Sequence, residues 1–222
     1  MSETRKDPLI ERLAQRVRPV SPLRMRGLAV WAIAFLIAGA VFVLGAYGVR
    51  PEWRDLFTAG RMPDTMGPLF KTGLFLFMAG LSLWGISGLS RPEGRLKSVA
   101  LWCLGLIVGG LMLLTGAQVF LTGWGATLAS LKGGVSNCFL IVLSGGLIGL
   151  GAGWALWLRR AAPSDPVRFG ALSALAASAL MTVAYSLHCP HDAPVYLLLV
   201  YLTPNLVLAA LGALSGRWLY RW

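Results

Sequence analysis

Apolar residues do not alternate along this chain at a strand or amphipathic-helix period. They fill whole windows of about twenty residues, the length that crosses the hydrocarbon of a bilayer as an α-helix. A window of about 19 residues places such spans near Gly27–Tyr47, Pro68–Leu89, Ser98–Phe120, Asn137–Leu158, Phe169–Ser186 and Val195–Ser215. Between them stand clusters of turn and charged residues: Arg50-Pro51-Glu52, Met62-Pro63-Asp64, Arg91-Pro92-Glu93-Gly94, Lys132-Gly133-Gly134 and Ala162-Pro163-Ser164-Asp165-Pro166. These break helices by removing donors or by favouring turns. No period of 20 to 50 residues recurs, so an internal repeat is not evident. The pattern predicts an all-α integral membrane protein of six transmembrane helices.

Composition agrees: 222 residues are 56% hydrophobic and 13% charged, with a mean hydropathy of +0.68. A soluble core of this size could not hide so much apolar surface. The first 26 residues carry seven basic groups against three acids. They lack the early apolar core of a secretory signal, so the first span is expected to stay as an anchor.

Orientation follows from the basic residues, because positive loops resist translocation. With the N-terminus inside, the cytoplasmic parts hold fifteen Lys and Arg, and the opposite side keeps five: Arg50, Arg54, Arg61, Lys71 and Lys132. Both ends are therefore expected in the cytoplasm. The net charge of +11 then reflects topology and anionic lipid at the inner face, and calls for no direct nucleic-acid partner. No pair of charged residues deep in a span is evident, which counts against an ion-coupled transporter.

Gly145, Gly149 and Gly153 recur every four residues, as do Gly105 and Gly109. Both sets read as close helix packing. Trp124, Trp154, Trp157, Trp218 and Trp222 lie near span ends, where an indole can reach the headgroups.

Cys138 lies 21 residues before Arg159, and Cys189 lies 22 residues after Val167, on helices flanking one short cytoplasmic turn. At about 1.5 Å per residue both stand about 30 Å above that turn, so they share a level on the outer face. Their contact depends on helix rotation, which spacing leaves open. Around Cys189 the chain reads His188-Cys189-Pro190-His191-Asp192, with the only two histidines present. Thiolate with imidazole suits copper or zinc. Three readings stand for the thiols: structural residues, a disulfide, or a sensor that binds soft metal or is oxidised. Cys103, about six residues into its span, reads as a small buried hydrophobe.

Asp7 and Pro8 form a helix start, after which Leu9, Ile10, Leu13 and Val17 share one side, with Arg12 and Arg16 elsewhere on its surface. A helix of about three turns is too short to stand alone in water. It either lies on the inner leaflet or docks on a cytoplasmic protein.

The stretch Arg160-Ala-Ala-Pro-Ser-Asp-Pro166, Gly170, Tyr185-Ser-Leu-His-Cys-Pro190, Ala193-Pro194, Tyr201 and Gly216-Arg-Trp-Leu-Tyr-Arg-Trp222 resembles the NrsF-type anti-sigma family. The Asp7–Leu13 arm and the position of Cys138 are similar as well. The resemblance implies a six-helix bacterial inner-membrane protein. Residues 1–26 would form a cytoplasmic arm binding an extracytoplasmic-function sigma factor, with Leu9, Ile10, Arg12, Leu13, Arg16 and Val17 as its contacts. Residues 27–222 would form the sensor, where Cys138 and Cys189 match the outer cysteines needed to sense metal or oxidative stress. His191 stands where relatives tend to carry an acid, and Val200 where a tryptophan is commoner. His188 and His191 are therefore candidates on ligand chemistry alone. No resident cofactor is expected, and copper or zinc would enter as signal. No nucleophile–base arrangement, phosphate loop or HExxH motif is seen, so no enzyme is expected. The rival reading is a membrane metal-handling or thiol-redox protein using the outer Cys/His cluster directly.

Overall fold

The computed structural model describes residues 25–59, 66–90, 93–131 and 135–220. The arm residues Leu9 to Val17 lie outside them. Among the described residues, six helices are long and apolar enough to cross a membrane: α1 (Met25–Tyr47), α3 (Met66–Leu89), α4 (Ser98–Ala129), α5 (Val135–Leu156), α6 (Pro166–Ser186) and α7 (Pro194–Leu219). The six expected spans are all present, with ends shifted by a few residues in most cases. A short helix that hydropathy did not register, α2 (Pro51–Ala59), follows α1. Pro51 suits its first turn and Glu52 its positive end.

α6 is the axis of the bundle, 83% of its apolar window being buried against 17% for α4. It packs on α1, α3, α5 and α7. The sequence explains this, since α6 is built largely of Ala, Ser and Gly, which let four neighbours approach. Its hydroxyls return to their own backbone: Ser173 to Phe169 O at 2.8 Å, Thr182 to Ser178 O at 2.9 Å and Ser186 to Val183 O at 2.7 Å. Asp165 caps the helix, accepting from Arg168 N at 3.0 Å.

Gly170 faces Gly212 and Gly216 of α7 so closely that any Cβ there would meet backbone. On α5 the expected glycine stripe packs: Gly145 lies under Met181, Gly149 under Phe35 and Gly153 under Trp31. Gly105 and Gly109 do not, having nothing within 4 Å. α4 touches only α3 and the start of α7 among the more extensive contacts, and these glycines lie on its open side. α4 also runs past the expected Phe120 to Ala129, breaking at Gly123, whose φ of 80° only glycine adopts readily. Trp124 and Trp218 are exposed. Trp157 instead covers Gly27.

α7 is not regular. Leu197–Leu202 forms a π-helical turn before Pro204. Proline has no N–H for the carbonyl four residues earlier, that of Val200, and within the turn Thr203 Oγ1 donates to Leu198 O at 3.3 Å. The wide turn brings Tyr196 and Tyr201, both without exposed surface, to the same end of the bundle as the cysteines.

Candidate functional site, a buried thiol pair and its ionic clasp

The start of α5 and the loop after α6 bring Cys138 Sγ and Cys189 Sγ to 3.7 Å. The expectation of equal height is met, and the helix rotation that spacing left open produces contact. Both thiols are free and buried. Tyr196 donates its hydroxyl to Cys138 Sγ at 3.1 Å, and the Tyr185 hydroxyl lies 3.4 Å from the same sulfur. The Tyr201 hydroxyl, also buried, points at Cys189, too loosely to count as a hydrogen bond. Two sulfurs in contact within a ring of tyrosines form a site with little open surface, Cys138 being 4% and Cys189 2% exposed.

Beside the pair lies an ionic cluster that the sequence reading did not assemble. Lys71 has no exposed surface, and its Nζ reaches Cys189 O at 2.7 Å, His191 O at 3.1 Å and Asp192 Oδ1 at 2.8 Å. Arg50 clamps Asp192 with two nitrogens, at 3.2 and 2.9 Å, and donates to Cys189 O at 3.1 Å. Its Nε and second nitrogen also hold Glu52, each at 3.0 Å. Two buried cations thus face two acids, the neutral balance that burial of charge demands. The Arg50 hydrogen bonds hold the Glu52 carboxyl down to about 2 against the effect of burial. Gly67 makes room for Asp192, since a Cβ there would fall 2.9 Å from the aspartate side chain.

The clasp and its neighbours tie three elements to the segment from Ser186 to Val195. Arg50 follows α1, and its N–H donates to Leu187 O at 3.1 Å. Lys71 belongs to α3, where Thr72 Oγ1 also meets Ser186 Oγ at 2.8 Å. Gln118 of α4 accepts from Val195 N at 3.2 Å. A faint signal existed: Lys71 interrupts an otherwise apolar span, and Asp192 follows the His-Cys-Pro turn. Hydropathy assigned Lys71 to a loop side and overlooked the pairing.

The histidines do not join the thiols in a ligand set. His188 Nδ1 faces Gly48 O at 3.1 Å, with its ring against Tyr47 and Tyr185. His191 stacks on Tyr196 at 4.6 Å. Among the described residues, no three of His, Cys, Asp and Glu gather in a way that could hold a metal ion. Cys103 is half-buried on α4, away from this pair.

Fold and site together define an all-helical protein with six helices long and apolar enough to cross a membrane and a paired-thiol site fastened by buried charges. A family model described as "Negative regulator of sigma F" matches residues 13–222. The chain belongs to this NrsF family. The anti-sigma-F factor NrsF of Caulobacter vibrioides (strain NA1000 / CB15N) is 32% identical over 225 residues, covering 98% of this chain and 100% of that protein. No solved structure matches.

Proposed function

We propose that this chain is an inner-membrane anti-sigma factor that holds an extracytoplasmic-function sigma factor with residues 1–26 and lets it go when Cys138 and Cys189 react. The membership of the family supports the class, and the excess of basic residues on one side supports cytoplasmic termini with the cysteines facing the periplasm. The observation that carries the trigger is the 3.7 Å contact between two free, buried thiols. Closing to a disulfide bond of about 2.05 Å needs a sulfur movement of under about 2 Å. Alternatively, two sulfurs on a tetrahedral soft metal with bonds of about 2.3 Å stand about 3.8 Å apart, so the same pair offers two ligands to copper or zinc. Either event pulls on the start of α5 and the loop after α6.

At rest the Asp7–Val17 helix rests its Leu9, Ile10, Leu13 and Val17 face on the sigma factor, with Arg12 and Arg16 at the rim. A hundredfold loss of affinity needs about 2.7 kcal/mol of preference for the non-binding state, well within reach of a metal–thiolate or disulfide bond.

The test is a reporter driven by the sigma factor in cells carrying Cys138→Ser, Cys189→Ser or both, challenged with soft metal or oxidant. Loss of induction with resting repression intact is expected. A response that survives the double change would remove the thiols as trigger. Separately, Leu9→Asp with Leu13→Asp and Val17→Asp should leave the reporter on without stress, and a silent reporter would remove the arm.

A further inference from the structure

The two thiols stand in unlike surroundings, and the difference is set by a residue outside the pair. Cys138 accepts a hydrogen bond from Tyr196. Its own S–H can then donate to the neighbouring sulfur at 3.7 Å or to the Tyr185 hydroxyl at 3.4 Å, and in the first arrangement the hydrogen bonds run from Tyr196 through Cys138 to Cys189. Charge lies beside the backbone of Cys189. Lys71 Nζ is 2.7 Å from that residue's own carbonyl oxygen, and Arg50 shares the same oxygen. Both cations are fixed, Lys71 by its three oxygens and Arg50 by two carboxylates.

We propose that Lys71 makes Cys189 the thiol that reacts first with peroxide-class oxidants, leaving Cys138 as the resolving thiol. The inference rests on the reading of the pair as trigger and assigns its order of events. The Cys189 thiolate attacks a peroxide oxygen, the O–O bond breaks, and Cys189 becomes a sulfenic acid as hydroxide departs. Cys138 sulfur then attacks the Cys189 sulfur. The S–S bond forms, and the sulfenic oxygen leaves as water with the proton from Cys138. Two thiols and one hydrogen peroxide thus give one disulfide and two waters. The hydrogen bond from Cys138, followed by the Lys71 charge, outweighs burial and lowers the Cys189 thiol below the ordinary thiol range, in keeping with this order.

The experiment uses the full chain in liposomes, with Cys103→Ser to silence the third thiol and hydrogen peroxide as a probe small enough to enter. Sulfenic acid at Cys189 is trapped in a Cys138→Ser background across a pH series. That change keeps a hydroxyl donor. Adding Lys71→Met should raise the pH of half-maximal rate and slow the reaction at pH 7 about tenfold, as the thiolate fraction falls. Lys71→Arg should restore the parent profile, and Asp192→Asn, which strips the cation of its counter-charge, should move the profile to lower pH. Opposite movements from two changes in one ionic cluster cannot come from a general loosening of the fold. Should Lys71→Met not insert, the Asp192→Asn shift decides alone. An unmoved profile, equal movement by both variants, or faster oxidation of Cys138 in a Cys189→Ser chain would overturn the order. These results are separable from the trigger itself: cells with both cysteines changed can lose induction while the pH profile ignores Lys71, and the reverse.

Discussion

Gly170→Ala and Gly105→Ala are the same chemical change on two helices, and the structure assigns them opposite effects. At Gly170 the added methyl would overlap the Gly212 carbonyl and lie 3.0 Å from Gly216 Cα, where ordinary contact begins near 3.4 Å. The obstacles are backbone atoms, which cannot rotate away, so α6 and α7 must part. Overpacking of this kind costs about 1–3 kcal/mol, and backbone obstacles put it at the upper end. Alanine's helix preference over glycine returns up to about 1 kcal/mol, leaving a net loss of about 2. At Gly105 nothing lies within 4 Å, so only the helix preference acts and stability should hold or rise by up to about 1 kcal/mol. Unfolding in mixed micelles, followed by the fluorescence of the nine tryptophans, reads the difference of about 3 kcal/mol between the two variants. If the two unfold together, the close approach of α6 and α7 is wrong.

Two other expectations concern the clasp. Asp192→Ala leaves Lys71 with no acid and Arg50 with Glu52 alone. Breaking a buried pair costs about 3–5 kcal/mol, so the variant should melt well below its parent and leak sigma activity without stress; a parent-like melting curve would show the clasp to be idle. Glu52 gains stability from its lowered pKa, and the sign is fixed by that direction. The contribution is full above the ordinary value of 4.5 and is lost as pH falls towards about 2. Acid titration should therefore loosen the parent more steeply over that window than Glu52→Gln, as read by melting temperature, and equal slopes would refute the link.

The six spans were legible because twenty-residue apolar windows have few other uses. So was the shared level of Cys138 and Cys189, since helix rise converts residue counts into height. Their contact was not, because rotation about a helix axis depends on packing: here the glycines of α5 under Phe35, Trp31 and Met181 set it. Lys71, Arg50 and Asp192 escaped for a different reason. Their pairing joins residues 120 or more positions apart, and a hydropathy window averages such charges away. Gly105 and Gly109 misled because four-residue spacing cannot distinguish a face turned to a helix from one turned to lipid. α2, apolar on one side and only nine residues long, fell below any span window.

The π-turn at Leu197–Leu202 sets the phase of everything after it. It holds one residue more than an α-helical turn would, so the chain beyond Pro204 is wound forward relative to Tyr196. One residue of a helix is about 100° of rotation and about 1.5 Å of advance. Deleting a single leucine from this turn would leave the hydropathy of α7 intact while swinging Gly212 and Gly216 away from α6 and Leu208 away from Gly146 of α5. A tally of apolar residues would judge that chain unchanged. Yet the tyrosine ring at one end and the glycine crossing at the other could no longer both meet their partners, because the extra residue is what lets one helix serve both.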